Sequence, residues 1–165
     1  MRKVILALPI LLVGMTSCEE KSFFYDFHHT PGFWHKDSIV NFSFKASDTT
    51  NQYDFFIHIR NNEDYNFSNL FIITSMTFPH GKVVVDTLEY KMAFKDGRLM
   101  GEGFGNLKYN KLWYKEALNF SEKGEYDFKI RHAMRKPSQT KTLNKLQGIE
   151  EIGFSIEPVK PKNNE

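Results

Sequence analysis

Cysteine is almost absent from this sequence: of 165 residues, only Cys18 carries a thiol. A chain with one cysteine forms no internal disulfide, so its fold has to rest on a hydrophobic core. One cysteine also excludes the structural zinc sites that need two or more thiolates. The single thiol therefore needs another explanation, and its position in the chain supplies one.

Cys18 follows a pattern that is typical of a bacterial lipoprotein signal. Arg2 and Lys3 form a basic start, and residues 4–13 form an apolar run that is shorter than the roughly 20 residues that cross a bilayer as a helix. The run ends shortly before Cys18, where cleavage is expected. This pattern predicts that residues 1–17 are removed as a signal peptide and that Cys18 is lipidated. The alternative is an ordinary secretory signal followed by an unrelated thiol.

The sequence also lacks an excess of charge of either sign and a long apolar run after Cys18. Lys and Arg number 22 against 20 Asp and Glu, and two of the basic residues precede Cys18, so the remainder is neutral. We therefore expect no binding of nucleic acid. Because no later apolar run reaches 18 residues, we expect the chain to be anchored by acyl chains and not to span the membrane.

Aromatic residues, by contrast, are abundant: they make up 15% of the chain, and 16 of them are phenylalanine. They alternate with polar residues at 42–46, 53–60 and 126–132, which is typical of β-strands. Residues 68–78 are more continuously apolar and indicate a strand covered on both faces, whereas residues 108–120 fit either a strand or a short helix. The pattern predicts an all-β fold, a single antiparallel β-sandwich of the Greek-key or jelly-roll kind.

The expected organisation is one domain between a tether and a tail. Residues 18–36 are predicted to form a lipid-anchored tether and a first strand, residues 37–157 the sandwich, and residues 158–165 a disordered tail. Within the sandwich, Pro79-His80-Gly81 predicts a tight turn that leads into a return strand at residues 83–94.

The residues that carry chemistry form no catalytic or metal-binding pattern. The six histidines are scattered over different elements without the close spacing of zinc ligands, so they are expected to be solvated or structural. The sequence contains no nucleophile-elbow or zinc-protease motif. It also gives no basis for placing two carboxylates at the separation that glycoside hydrolysis needs. The sequence therefore predicts no catalytic residue, no metal and no cofactor.

Exposed aromatic side chains are the best candidates for a binding surface. Leu112, Trp113 and Tyr114 lie in the segment of least certain structure, and with Trp34 they form the predicted interaction surface. A wider set of aromatics would stack on a glycan if exposed: Trp34, Tyr53, Tyr90, Tyr109, Trp113 and Tyr114. The alternative is that these side chains fill the core and its rims.

Several short strings occur in an order that resembles a known family. They are the aromatic lead-in with Trp34, Tyr53…Ile59-Arg60-Asn61, Tyr65-x-x-Ser68-Asn69-Leu70, Pro79-x-Gly81, Asp86-Thr87-Leu88, Gly101-x-Gly103, Gly124-x-Tyr126-x-Phe128, Met134-Arg135 and Leu146-x-Gly148-Ile149-x-x-Ile152-Gly153. Together with the lipoprotein signal, these strings cover nearly the whole chain after Cys18. Their order and spacing resemble the GldH family of gliding-motility lipoproteins of the Bacteroidetes.

The resemblance implies an envelope lipoprotein without enzymatic activity, associated with gliding motility and with the protein secretion linked to it. Its implied partners are other envelope, gliding or secretion proteins. Glu19 and Glu20 directly after Cys18 resemble the acidic export signals of this phylum, so we expect an anchor in the outer membrane, in either leaflet. The rival interpretation is a surface lipoprotein that binds glycans through exposed aromatics.

Overall fold

The computed structural model describes residues 23–137 and 139–159. The predicted signal peptide, Cys18 and the tail beyond Val159 lie outside these residues. The described strands are, in chain order, β1 (Phe24–His29), β2 (Phe33–His35), β3 (Val40–Ala46), β4 (Tyr53–Asn61), β5 (Asn69–Thr77), β6 (Val83–Lys91), β7 (Lys108–Leu118), β8 (Gly124–His132), β9 (Lys145–Gln147) and β10 (Ile149–Pro158). No helix in the described part is long and apolar enough to cross a bilayer.

The strands pair as if the chain were folded in half at the connection between β5 and β6. Each strand of the first half pairs antiparallel with its counterpart in the second half: β5 with β6, β4 with β7, β3 with β8, β2 with β9 and β1 with β10. Two further pairings, β10 with β4 and β8 with β5, complete two four-stranded sheets. The first sheet has the order β1-β10-β4-β7, and the second has the order β3-β8-β5-β6. This is a jelly roll, so the prediction of an antiparallel β-sandwich is confirmed.

The chain folds back at the turn that Pro79 and Gly81 predict. The ring of Pro79 presets its backbone angle, and Gly81 has φ of +84°, an angle at which glycine carries no steric penalty. The amide of Gly81 donates to the carbonyl of Phe78 at 2.8 Å, which closes the turn. The predicted return strand is β6, although it ends at Lys91 and not at residue 94.

An aromatic core fills the space between the two sheets. Phe154 on β10 is fully buried, and the ring of Phe128 from the second sheet stacks on it with centroids 4.1 Å apart. Four more rings pack around Phe154 at centroid distances of 5.8 to 6.1 Å, namely Phe24, Phe42, Phe44 and Phe55. Aromatic pairs at such distances add to the stabilisation that burial alone provides. The many phenylalanines therefore supply the core that a chain without a disulfide requires.

Three segments differ from the expectations. Residues 108–118 form β7, so the helix alternative for this segment is wrong. Strand β5 alternates buried and half-buried residues, so it is covered on one face only. Its outward positions include Phe71 and Ile73, which explains why the sequence run is continuously apolar. Strand β1 lies in the segment predicted to hold a first strand and is a full member of the first sheet, and β10 ends at Pro158, one residue beyond the expected end of the sandwich.

The chain enters the sandwich at one end, and an exposed loop lies at the other. At one end, which we call the N-terminal end, the ring of Phe23 lies 5.2 Å from Tyr53 and 5.5 Å from Phe120. Strand β4 runs from there to Asn61 at the distal end, a distance of roughly 26 Å at about 3.3 Å per residue. The loop that carries the fully exposed Phe104 precedes β7 at the distal end. The chain therefore enters the domain at one end and presents this loop at the other.

Removing the ring at the centre of the core is expected to destabilise the fold strongly. Phe154→Ala leaves a cavity among buried rings, so the free energy of unfolding should fall by about 3–5 kcal/mol. Phe104→Ala removes the same atoms from an exposed side chain and should change that free energy by less than about 0.5 kcal/mol. Denaturant unfolding measures both values. Equal losses in the two variants would contradict the central position of Phe154.

Candidate functional site

The outer face of the first sheet carries buried side chains, although no other layer of the described chain covers it. On β4, Phe55, Ile57 and Ile59 face the core, so Phe56 and His58 between them face outward. Even so, Phe56 is only 6% exposed and His58 is 0% exposed. The outer face of an antiparallel sheet is ordinarily polar and solvated. Here Phe56 and His58 are covered by the other side chains that project from the same face of the sheet.

The strand register arranges the outward side chains in rows across the sheet. The first row holds Tyr25, Ser155, Phe56 and Trp113, the second holds Phe27, Gly153, His58 and Lys111, and the third holds His29, Glu151, Arg60 and Tyr109. Because adjacent strands lie about 4.8 Å apart, a row spans roughly 14 Å. We call six of these residues the outer-face patch: Tyr25, Phe27, Phe56, His58, Tyr109 and Trp113.

His58 lies at the centre of the outer-face patch and uses both of its ring nitrogens. Nε2 is 2.7 Å from the hydroxyl of Ser155, and Nδ1 is 2.7 Å from the hydroxyl of Tyr109. Ser155 donates to Glu157 at 3.1 Å, so it accepts from Nε2–H, and Nδ1 accepts from Tyr109. Burial, with a contribution from the charge of Lys111, lowers the pKa of His58 to about 4. The ring is therefore neutral at neutral pH, and it links three strands.

A glycine makes room for the aromatic side chains around His58. A Cβ on Gly153 would lie 2.5 Å from the ring of Phe27, so only glycine lets this ring lie close over β10. The Phe27 centroid is 5.3 Å from that of His58, and the Tyr25 centroid is 5.7 Å away in an edge-on arrangement. The outer-face patch is therefore one packed layer of side chains.

Two aromatic members of the patch remain largely exposed. Tyr25 is 59% exposed and Trp113 is 55% exposed, and they lie at opposite ends of the same row. Trp113 packs against Phe56 with centroids 4.5 Å apart and planes at 53°, and Tyr25 packs against Phe27 at 4.9 Å and 54°. The exposed rings thus sit tilted on a packed base, an arrangement that fits an interaction surface.

Charged pairs border the outer-face patch. Arg60 and Glu151 form an ion pair at 2.7 Å, and His29 lies 2.9 Å from the same carboxylate. Lys111 donates to Glu157 at 2.7 Å, and its ammonium lies 4.1 Å from the centre of the Phe56 ring. Two basic and two acidic side chains balance each other here. The surface is therefore apolar at its centre and polar at its border, with no dominant sign of charge.

Of the four residues predicted to form an interaction surface, the structure places only Trp113 in the outer-face patch. Leu112 and Tyr114 flank it on β7, and because side chains alternate along a strand they face the core. Tyr114 is buried and Leu112 is half-buried. Trp34 is only 1% exposed, and its indole N–H donates to the carbonyl of Ser38 at 2.8 Å. These burials correct the assignment of Trp34, Leu112 and Tyr114 to an exposed surface.

Most residues of the outer-face patch are absent from the surface predicted from the sequence. Residues 55–59 read Phe-Phe-Ile-His-Ile, a run without a charged residue, and such a run is a signal for burial on both faces of a strand. In the lead-in, Tyr25 and Phe27 are two positions apart, so they lie on the same face of a strand. Their position beside His58 depends on the pairing of β1 with β10, which lies at the other end of the chain and leaves no local signal.

Within residues 23–137 and 139–159, the other titratable side chains form no cluster that resembles a metal-binding or catalytic site. No three His, Cys, Asp or Glu side chains lie close enough there to hold a metal ion. His132 is buried against Trp34, and burial lowers its pKa to about 4. Hydrogen bonds within surface turns lower the pKa of Asp48 to about 2 and also lower that of Asp96. The lowered pKa values of these two aspartates are therefore explained by their own turns and do not indicate a pair of interacting carboxylates.

The family model and the relatives that are similar to this chain all carry the same family name. A sequence model of the GldH lipoprotein family matches residues 22–156. A Christiangramia forsetii protein named gliding motility lipoprotein GldH homolog is 48% identical over 146 residues, which cover 88% of this chain and 90% of that protein. The Flavobacterium johnsoniae protein named gliding motility lipoprotein GldH is 42% identical over 154 residues, 93% of this chain and 94% of that protein.

Among solved structures, the VP2 subviral particle of infectious bursal disease virus is similar at a TM-score of 0.31 and 11% identity. The match covers 96% of this chain, which spans 38% of the length of that protein. A likeness of this size supports no conclusion about fold or function.

The two buried histidines predict a loss of stability in acid. The unfolded chain binds a proton on each near pH 6.5, whereas the folded chain does so near pH 4. Stability is therefore retained above about pH 6.5 and should fall as the pH drops to about 4, by about 1.4 kcal/mol per pH unit for each histidine. His132→Phe, which keeps a ring beside Trp34, should remove about half of this histidine contribution.

Denaturant unfolding at several pH values between 4 and 7 measures this slope. The matched control is His80→Gln, which changes a histidine that is largely exposed. Identical slopes in the unaltered protein, His132→Phe and His80→Gln would contradict the neutral, buried state of His132.

Proposed function

The chain belongs to the GldH lipoprotein family, and from this premise we propose that it is a non-enzymatic component of an envelope assembly associated with gliding motility and the protein secretion linked to it. As a lipoprotein it is a membrane-anchored protein of the cell envelope. Both relatives are named for gliding motility, which supports the functional part of the proposal. The proposed partners are therefore other proteins of the envelope.

Cys18 is the proposed site of the lipid anchor, after removal of residues 1–17. The family match starts at residue 22 and the first sheet starts with β1 at Phe24, so Cys18 directly precedes the folded domain. The acidic pair Glu19 and Glu20 supports a destination in the outer membrane. In this proposal a few residues join the sandwich to the acyl chains.

The observation that carries the assembly role is the outer-face patch. The centres of protein interfaces are rich in aromatic residues and poor in charge, and their rims are polar. The patch has the same order, with aromatic rings packed around the buried His58 and balanced ion pairs around them. The contacts of His58 with Ser155 and Tyr109 hold the packed base in place, so a partner would have little side-chain motion to restrict on binding.

Tethering provides the mechanism. Confinement of the domain to a membrane raises its effective concentration near partners in the same membrane. An interface of modest area is then sufficient, because the anchor has already restricted the search for the partner. The enclosed position of Phe56 and His58 and the exposure of Tyr25 and Trp113 fit a surface that is stable alone and buries its exposed rings on contact.

Glycan binding is less well supported by the same surface. A stacking platform for a sugar needs neighbouring exposed rings, whereas Tyr25 and Trp113 lie at opposite ends of a row that spans roughly 14 Å. An enzymatic role has less support still, because the lowered carboxyl pKa values among the described residues come from isolated surface turns. We therefore treat glycan binding as an outcome to be tested.

Cys18→Ala is expected to release the protein from the membrane. The core lies within residues 23–159, so the variant should keep the circular dichroism spectrum of the unaltered protein but move from the membrane fraction to the soluble fraction. Ser17→Ala keeps the thiol and is the matched control, which should stay with the membrane. Retention of Cys18→Ala in washed membranes would show that the anchor lies elsewhere.

The double substitution Tyr25→Ala, Trp113→Ala is expected to weaken partner binding. Loss of an aromatic hot-spot contact typically costs at least about 2 kcal/mol, or about thirtyfold in affinity. Crosslinking and pull-down from intact cells should therefore recover far less of the envelope proteins, and colonies should spread less. Phe104→Ala removes an exposed ring at the distal end and should leave both readouts unchanged.

Two results would overturn the assembly role. One is equal recovery of envelope proteins with the double variant and with Phe104→Ala, which would remove the outer-face patch from the interface. The other is repeated recovery of polysaccharide without envelope proteins, which would favour the glycan-binding alternative.

A further inference from the structure

A narrow apolar cleft lies between the two sheets at the N-terminal end, on the side where β6 and β7 face each other. Its volume is about 160 Å³. Phe55, Met76, Phe120 and Tyr126 line it, and all four are buried. An apolar cavity of roughly 150 Å³ accepts benzene. The cleft therefore has room for the end of a hydrocarbon chain.

Strand β7 departs from regular pairing beside the cleft. The register with β4 shifts on both sides of Phe55, and such bulges bend the strand that carries them. Ala117, within the irregular part, has φ of +50° and donates its N–H to Asp54 at 2.9 Å. Leu118 at the end of β7 is left 43% exposed beside the cleft. The cleft thus coincides with an irregularity of the backbone.

Polar contacts join β6 and β7 on the distal side of the cleft. The hydroxyl of Tyr114 donates to Asp86 at 2.8 Å, and the ammonium of Lys115 lies 3.2 Å from the same carboxylate oxygen. The hydroxyl of Tyr90 donates to the carbonyl of Trp113 at 2.7 Å. These contacts close the space between the strands on the distal side, so the cleft is confined to the N-terminal end of this edge of the sandwich.

Phe120 connects the cleft with the start of the domain. Its ring lines the cleft and lies 5.5 Å from the ring of Phe23. Phe23 follows Cys18 by five residues, a length of chain that spans at most roughly 18 Å when extended. An acyl chain attached to Cys18 therefore starts at the same end of the sandwich as the cleft and within reach of it.

We infer that this cleft holds an acyl chain carried by the lipidated Cys18. The inference rests on the proposed anchor and adds a place for one of its chains. The size and apolar lining of the cleft fit the end of a hydrocarbon chain, and the covalent link gives this chain a higher local concentration than a free ligand. A lipidated cysteine usually carries more than one acyl chain, so the remaining chains stay in the bilayer. One chain in the cleft then holds the N-terminal end of the sandwich against the membrane.

Photo-crosslinking in cells that express the full chain tests this inference. Leu118→p-benzoylphenylalanine places a group that reacts with C–H bonds at the edge of the cleft, and Val85→p-benzoylphenylalanine places it on the outward face of β6 as a matched control. After irradiation, mass spectrometry of the digested protein should find the residue-118 peptide joined to the lipidated Cys18 peptide. The yield should be at least tenfold higher than in the Val85 control.

A second pair of variants checks that the cleft is the binding site. Val84→Trp points into the cleft and should lower the crosslink at residue 118 at least tenfold, whereas Val85→Trp points away and should leave it unchanged. An undiminished crosslink in Val84→Trp would overturn the inference. So would adducts of residue 118 with free phospholipid alone, because the occupant would then come from the membrane.

The same spectra separate this inference from the proposed anchor. A lipidated Cys18 peptide that is present but not crosslinked overturns the occupied cleft and leaves the anchor intact. A Cys18 peptide without lipid overturns both.

Discussion

The pairing of the two halves of the chain about the β5–β6 hairpin is the constraint on which this structure depends. Five strand pairs nest around one turn, and each outer pair closes a longer loop than the pair inside it. The entropic cost of closing a loop rises only slowly with its length, so the outermost pair, β1 with β10, remains favourable provided that it buries enough surface. Phe24 and Phe154 meet that condition in the core. Both the outer-face patch and the N-terminal end of the sandwich exist only because this last pair forms.

The network around His58 takes the place of a covering layer on the first sheet. A fully buried imidazole without partners would be costly, because its polar atoms would lose their contacts with water. Here each nitrogen has a hydroxyl partner, and the chain of donors ends at the Glu157 carboxylate, which Lys111 balances. The aromatic rings that exclude water from His58 are therefore supported by hydrogen bonds from three strands. A sheet face built in this way stays ordered without a partner, and it still leaves apolar rings available to one.

The sequence predicts the local features of this fold well and the long-range features poorly. Alternation with a period of two is a local property, so the strands at residues 42–46 and 53–60 and the turn at Pro79 can be found without knowing their partners. Which side of a strand faces the core is also local, and strict alternation on β7 would have separated Trp113 from Leu112 and Tyr114 once a strand was assumed there. The partner of β1 is not local. Without knowledge of this pairing, the packing of Tyr25 and Phe27 against His58 cannot be derived, and neither can the reason for glycine at position 153.

An anchor at Cys18 would orient every other surface of the domain. Because the link to Phe23 is short, this anchor would turn the N-terminal end toward the membrane, and β4 would run away from it toward the distal end. The rows of the outer-face patch cross the strands, so the patch lies on a side wall of the sandwich, where partners held in the same membrane would meet it. The loop with Phe104 would then point away from the bilayer and be poorly placed for such partners. An acyl chain in the cleft between β6 and β7 would restrict the tilt of the domain about its tether, and would thereby fix the height above the membrane at which Tyr25 and Trp113 are presented.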